Sequence, residues 1–274
     1  MLWGSGFLFI KLVPEVGPVP LAAARGLIAA ATLAAWFLFR GEAIWPRGRE
    51  WRDWAVLGTL NGWGPNILVA FALTEIGAAL AAMIQASGPL VVALLSHLLF
   101  ADERLDARRL SGILVGLLGV GLLIGPAALA SSPASVTGAF AMLAVAVLYA
   151  FGNVYVRLVP RADPARLALG QQVVSATIAS GLTAGLHGPD ALVLAPTPAL
   201  LALGTVATAV PIVLFMRLIR GAGPTRAATV GYLMPIWAAL LAVVFLGETV
   251  SGREIVGGVV VLAGVALVSS RRLR

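Results

Sequence analysis

The sequence predicts an all-α integral membrane protein of ten transmembrane helices, built as two inverted five-helix repeats. Three observations carry this. First, the chain is 60% hydrophobic and 11% charged, with a mean hydropathy of +0.98, where soluble domains carry about 25% charged residues. Its apolar residues fall in runs of roughly twenty, the length of a helix that crosses a bilayer. Second, the stretch GAALAAMIQASGP at 77–89 has a counterpart, GPTRAATVGYLMP, at 223–235. A register shift of 146 places Gly77 on Gly223, Ala81 on Ala227, Ala82 on Ala228 and Pro89 on Pro235. The same shift puts Gly6 on Gly152, Gly58 on Gly204 and Pro65 on Pro211; beyond the prolines it drops by one, so Glu103 meets Glu248 and Gly112 meets Gly257. A register kept this far marks an internal duplication, with repeats at 1–130 and 131–274. Third, the basic residues sort to one side.

The expected spans run over 1–16, 19–39, 54–75, 78–100, 107–127, 135–158, 164–185, 198–220, 225–246 and 252–270. The first is apolar from Met1 and does not have the length or the basic lead of a cleaved signal peptide. Asp163 before Pro164 reads as an N-cap followed by a first-turn proline. Ser251 to Glu254 reads as a capping box that opens the last helix, and Pro224 stands near the start of the ninth.

With ten spans, most of the nineteen Lys and Arg fall on one side: Arg40, Arg47, Arg49, Arg52, Arg104, Arg108, Arg109, Arg157, Arg161, Arg166, Arg217, Arg220, Arg226 and the terminal Arg271, Arg272 and Arg274. Only Lys11 and Arg253 fall on the other, and Arg25 lies within a span. The positive-inside rule makes the crowded side, with both termini, cytoplasmic. The net charge of +7 is thereby accounted for without a nucleic-acid partner. Five spans per copy is odd, so the second copy enters the membrane upside down. Secondary transporters share this plan, with the substrate site near mid-membrane between the halves.

The motifs resemble the EamA-type branch of the drug/metabolite transporter superfamily. They are LWGSGF with Lys11 in the first span, the apolar segment ending in Pro89, FADERL at 100–105 before a glycine-rich span, and their second-copy counterparts Pro235, FLGE at 245–248 and GGVVVLAGVAL at 257–267. The first copy reads ADE where the second reads GE. Within the superfamily the chain is most similar to bacterial amino-acid exporters of the YddG type. The resemblance implies a basket of ten helices around a central cavity, lined by the first, third, fourth, sixth, eighth and ninth. It also implies gates at the third–fourth and eighth–ninth pairs, and places the fifth and tenth to the side.

Every carboxylate falls at a span end or in a loop, so none is placed to carry a proton through the centre; this leans toward uncoupled or weakly coupled movement and leaves facilitated diffusion and coupling both open. No cluster of Lys and Arg lies at depth for a phosphorylated cargo. Arg25 sits about 9 Å from the outer end of its span at 1.5 Å per residue. Two readings stand for it: it snorkels outward, or it meets a substrate carboxylate. The remaining polar and aromatic set is Asn61, Trp63, Asn66, Gln85, Tyr149, Asn153, Gln171, Gln172, Thr208, Tyr232 and Trp237. Amides both donate and accept, and aromatic faces take an ammonium, which suits a zwitterion. The alternative is that these residues only bind helix to helix. Trp3, Trp51 and Trp54 read as interfacial anchors. Pro65, Pro89, Pro211 and Pro235 lie inside spans at matched positions, each removing a backbone donor; they read as gate hinges or as static bends. Gly112 with Gly116 and Gly121 with Gly125 read as close-packing pairs, within the chain or across a homodimer.

Without cysteines there is no disulfide or thiolate metal site. No HExxH, GxSxG or Walker lysine loop occurs, so neither an enzyme nor an ATP-driven pump is expected, and no cofactor or metal. The sequence points to an inner (plasma) membrane exporter of small zwitterionic metabolites, amino acids (aromatic and other neutral ones) foremost, acting as monomer or homodimer in the lipid bilayer. The alternatives are export of another neutral metabolite or a drug, and a membrane interaction protein that transports nothing.

Overall fold

The computed structural model describes all residues except 102–104, 132, 160–161, 224–226, 228–229, 231–232 and 270–274, and leaves the side chains at 125–131, 133–135 and 269 undescribed. Among the described residues the chain is helical with no strand. Ten helical segments follow in order: α1 Leu2–Lys11, α2 Pro18–Phe39, α3 Glu50–Glu75, α4 Ala78–Leu99, α5 Ala107–Ser131, α6 Pro133–Leu158, α7 Pro164–His187, α8 Pro198–Ala222, α9 Leu233–Leu246 and α10 Gly252–Ser269. Six described stretches are long and apolar enough to cross a membrane: 18–39, 50–75, 78–99, 107–124, 136–158 and 198–222. α7 has the length but carries Gln171, Gln172, Ser175 and Thr183, all buried inside the bundle.

The helix starts expected from the sequence form as their chemistry requires. Asp163 Oδ1 accepts from the N–H groups of Ala165 (3.0 Å) and Arg166 (2.9 Å), two of the donors that a helix start leaves unpaired. At α10 the Ser251 N–H donates to Glu254 Oε2 at 2.7 Å while the Glu254 N–H donates to Ser251 Oγ at 3.3 Å, which closes the capping box. Pro224 lies outside the described residues. Beside the α7 start, Arg166 grips Glu50 with Nε–Oε1 at 2.8 Å and Nη2–Oε2 at 2.6 Å, and donates to the carbonyls of Ala43 and Trp45. A planar, two-pronged pair of this kind pins the α2–α3 loop to α7.

The prolines do more than bend their helices. α3 is interrupted by a π-helical turn at Thr59–Trp63 and α8 by another at Thr205–Ala209, each closing just ahead of its proline, Pro65 or Pro211. The two turns are related by the 146-residue shift read from the sequence. α4 tightens ahead of its proline: Ala78–Gln85 leads into a turn at 86–87, where both residues stay right-handed helical and the Ser87 N–H bonds to the Ile84 carbonyl at 3.1 Å, and Gly88–Leu99 follows with Pro89 in its first turn. A proline there loses nothing, since first-turn N–H groups have no helical partner. Pro235 lies near the described start of α9.

Contacts between the halves are reciprocal under the same register. A Cβ on Gly58 would strike Val174, and one on Gly204 would strike Ile28. The shift of 146 exchanges Gly58 with Gly204 and Ile28 with Val174. α2 and α7 therefore lie against the kinked helix of the opposite half. To one side α5 and α10 touch backbone to backbone: a Cβ on Gly112 would fall 2.7 Å from the Gly264 carbonyl, and one on Gly119 2.9 Å from the Gly257 carbonyl. Small residues allow this approach. Gly112 and Gly116 thus pack within the chain, Gly116 against Leu90, whereas a Cβ on Gly121 would meet open space.

One expected interfacial anchor is misplaced. Trp51 is exposed, but Trp54 is 3% exposed and its indole occupies the space a side chain at 170 would need. Gly170 opens that slot, and an apolar ring gains more there than at the interface. Gly170→Ala should destabilise the protein by about 1–3 kcal/mol through overpacking. The readout is the melting temperature of the purified protein in detergent, and an unchanged value would contradict the packing described.

Candidate functional site

A cavity of about 310 Å³ occupies the middle of the bundle. It runs to one end of the bundle, where Met1, Leu2, Leu218 and Ile219 line it and the first three of these are solvent-exposed in part. At the other end Val13, Leu21, Leu73, Ile76, Ala78 and Ala79 are buried together in the main core, and none of them lines the cavity. Among the described residues the cavity is thus open at one end and sealed at the other.

Of the candidate residues, Arg25, Asn61, Asn66, Gln85, Tyr149, Asn153, Gln171, Gln172 and Thr208 lie together on the cavity wall, with Pro89 and Pro211. Pro65 and Pro235 do not line it. Tyr232 lies outside the described residues. Trp63 and Trp237 are elsewhere, for reasons the sequence hides. Trp63 packs beside Ala22, Ala23 and Ala179, with its Nε1 donating to Thr59 Oγ1 at 3.3 Å. Trp237 Nε1 donates to Ser5 Oγ at 3.0 Å, tying α9 to α1. Each of these two indole N–H groups finds a hydroxyl away from the cavity.

Arg25 is 9% exposed. Its Nε donates to Thr208 Oγ1 at 2.8 Å, and Thr208 Oγ1 in turn donates to the Leu203 carbonyl at 2.6 Å. Arg25 has no ion-pair partner among the described residues, and no carboxylate lines the described wall. Arg25 therefore does not snorkel; the π-helical turn of α8 holds it at the cavity. Its register counterpart, by the shift of 146, is Gln171. Gln171 Nε2 donates to the Asn61 carbonyl at 3.1 Å. That carbonyl stands four residues before Pro65, which has no N–H to offer it. In each half, then, the second helix sends one side chain to the π-helical turn of the other half.

Several amide atoms on the wall are buried without a protein partner: Asn61 Oδ1, Asn66 Nδ2, Gln85 Oε1, Gln171 Oε1, and both Gln172 Oε1 and Nε2. Four of these six are acceptors. The Asn61 amide occupies the space beside Gly152 that a side chain there would fill. Buried polar atoms nearly always have partners, so this wall is built for a polar occupant or water. The remaining wall is apolar, with Phe7, Ile212, Phe215, Met216 and Met234. Trp3 meets Phe215 edge-on, with ring centroids 4.8 Å apart.

These apolar lining residues were not singled out from the sequence. In a chain where every face of a span is apolar, no contrast marks the face that turns inward. The helices lining the cavity differ from those the resemblance implied in one respect: α2 and α7 contribute Arg25, Gln171 and Gln172. They do so because Gly58 and Gly204 let both helices approach the kinks closely. α5 and α10 contribute nothing to the lining.

Helices that cross a membrane surround a largely apolar cavity that carries Arg25 and a set of amides, the arrangement of a multi-pass membrane transporter. The profile of the EamA-like transporter family matches residues 1–125 and 136–270, and the chain belongs to that family. It is 28% identical, over 98% of its length and 87% of theirs, to the "Uncharacterized inner membrane transporter YedA" of Escherichia coli. An "Uncharacterized transporter" of Archaeoglobus fulgidus is 26% identical over 99% of this chain and 95% of its own. A "Probable amino-acid metabolite efflux pump" of Salmonella typhimurium is 27% identical over 96% of this chain and 90% of its own. A solved crystal structure shares the fold at a TM-score of 0.74 and 23% identity, covering 98% of this chain and 93% of that one.

Thr208→Val should cost about 1–3 kcal/mol, since it leaves the buried Arg25 Nε donor without its acceptor. Thr205→Val removes a hydroxyl that turns back on the Leu201 carbonyl of its own helix and should cost no more than about 0.5 kcal/mol. Thermal melts of both variants in detergent check the contrast; equal losses would contradict it.

Proposed function

We propose that the chain is a secondary carrier that exports small zwitterionic metabolites, amino acids above all, by alternating access between inverted halves at 1–130 and 131–274. The observation that carries this is Arg25, a guanidinium buried in the bundle, bonded to a neutral hydroxyl and facing a cavity without a carboxylate. A buried charge calls for a counter-charge, and a cargo carboxylate supplies one. Around it the partnerless amide oxygens offer acceptors for an ammonium group. The apolar wall, with Phe7 and Phe215, takes an aromatic or aliphatic side chain. The name of the Salmonella relative agrees with this class of cargo.

Alternating access is supported by the reciprocal contacts, because exchange of i–j′ with j–i′ is what a twofold axis between equivalent halves produces. Five spans per half set that axis in the membrane plane. The open end carries Met1 and Leu218, on the arginine-rich side, which the positive-inside rule makes cytoplasmic. Cargo would enter there, as export from the cell requires, with both termini in the cytoplasm and the bacterial inner membrane as the site. With neither carboxylate nor histidine on the described wall, transport proceeds down the cargo gradient without proton coupling.

A second reading is favoured by the same missing carboxylate. A carboxylate whose nitrogen is acylated or absent would match the single charge of Arg25 without leaving an ammonium to satisfy. Counterflow in proteoliposomes separates the two. Vesicles are loaded with one amino acid, its N-acetyl form or its 2-oxo acid, and uptake of labelled trace is followed with and without a proton gradient. The zwitterion reading predicts saturable, gradient-independent exchange of free amino acids above the others. No exchange of any of them by folded protein would contradict the proposal. Arg25→Gln makes the two halves alike at this position, so it should fold; it should slow exchange of carboxylate cargo at least about tenfold.

A further inference from the structure

The two halves of α4 meet at the cavity wall. Gln85, Gly88 and Pro89 line it on either side of the turn at 86–87. The first half, Ala78–Gln85, therefore ends on a tightened turn just ahead of Pro89, where the Ser87 N–H bonds to the Ile84 carbonyl at 3.1 Å and the regular helical pattern is interrupted. It is an arm of eight residues, about 12 Å long at 1.5 Å per residue. Its buried face is Ala78, Ala79, Ala81 and Ala82, with the larger Met83 and Ile84 buried next to its inner end. The alanines at its outer end can part from a neighbouring helix with little interlocking, while Met83 and Ile84 anchor the end beside the turn.

The outer end of this arm is held by one side chain from the opposite half of the chain. Glu248 Oε1 accepts from the Ala78 N–H at 2.9 Å, and Oε2 from the Ala79 N–H at 3.3 Å. These are first-turn donors with no helical partner of their own, and the positive end of the helix favours a carboxylate. The approach is tight, since a Cβ on Gly77 would lie 2.9 Å from Glu248 Oε2. Glu248 is aimed by the turn that ends α9: Gly247 has φ of +66, a conformation glycine adopts without cost, and the Glu248 N–H bonds back to the Ala242 carbonyl at 3.1 Å. Ala78 and Ala79 belong to the buried cluster that seals this end of the cavity.

A gate at the third–fourth pair is already implied by the resemblance; we propose that Glu248 is the latch that holds the outer end of α4 shut in this access state. The proposal rests on the alternating-access reading: the sealed end has to open for cargo to leave, and these two hydrogen bonds have to break when it does. Glu248 is a positioning residue. It does not line the cavity and acts on the arm, which carries Gln85 at its inner end.

The chain has no cysteine, so single reporter thiols can be introduced. Val13→Cys places one in the buried cluster at the sealed end, where Val13 is 2% exposed. Ala168→Cys places one in a separate buried cluster, where Ala168 is fully buried. Maleimide labelling of the purified, folded protein is timed with Glu248 and with Glu248→Ala. The latch predicts labelling at position 13 about tenfold faster or more in Glu248→Ala, because two hydrogen bonds to a charged acceptor are lost. Glu248→Gln, which keeps an acceptor oxygen, should fall between. The rate at position 168 should stay within about twofold. An unchanged rate at position 13, with or without a lower melting temperature, would overturn the proposal; so would equal acceleration at both positions, which marks general loosening. Counterflow is independent of this readout. Loss of amino-acid exchange with the labelling contrast intact removes the cargo assignment alone, and the reverse removes the latch alone.

Discussion

A helix in lipid has to satisfy every backbone N–H and C=O within the protein, and the rest of this structure follows from where that rule is strained. α3 and α8 each carry a π-helical turn ahead of a proline. The irregular backbone there is viable only where other protein or a water-filled space meets it. α2 and α7 supply the protein side. Each lies against the kinked helix of the opposite half, at Gly204 and Gly58 respectively, and each sends in one side chain, Arg25 or Gln171. The space on the other side is the cavity. Hydrogen-bonding need, close packing and the cavity wall are thus one arrangement.

The duplication makes this arrangement nearly symmetric, and its exception is informative. Gln171 offers an amide to a backbone carbonyl, the ordinary repair for a proline kink. Arg25, at the matched position, offers a guanidinium to a hydroxyl and keeps donors for something else. An amide would have served the fold in both halves. The added charge is costly in a membrane and is understood as an investment in binding. Likewise the tightened turn of α4 at 86–87 falls beside the cavity.

Much of the fold was legible in the sequence because it rests on composition and local chemistry. Apolar runs gave the spans, and the caps at Asp163 and Ser251 form as read. The register shift paired Pro65 with Pro211, but the π-helical turns ahead of them were not legible, because a proline alone reads as a simple kink. Other features depend on an absent Cβ at a distant point of the chain. Trp54 reads as an anchor until Gly170 is placed against it, and the position of the Asn61 amide depends on Gly152. The polar wall could be collected from the sequence because Asn, Gln and Arg stand out in apolar spans. Trp63 and Trp237 could not be assigned, since a tryptophan is equally at home against helices, lipid or cargo. The carboxylate of Glu248 read as a loop residue because its partners lie 169 and 170 residues away.

The central claim is that Arg25, held by the π-helical turn of α8, takes the carboxylate of the cargo. A structure of the protein with a bound amino acid, solved in a bilayer mimic, tests it most directly. The account predicts the carboxylate within hydrogen-bond distance, about 3 Å, of the free guanidinium nitrogens of Arg25, with the ammonium turned to the amide oxygens of Asn61, Gln85, Gln171 or Gln172. A ligand bound elsewhere in the cavity, with Arg25 touching only Thr208, would contradict it.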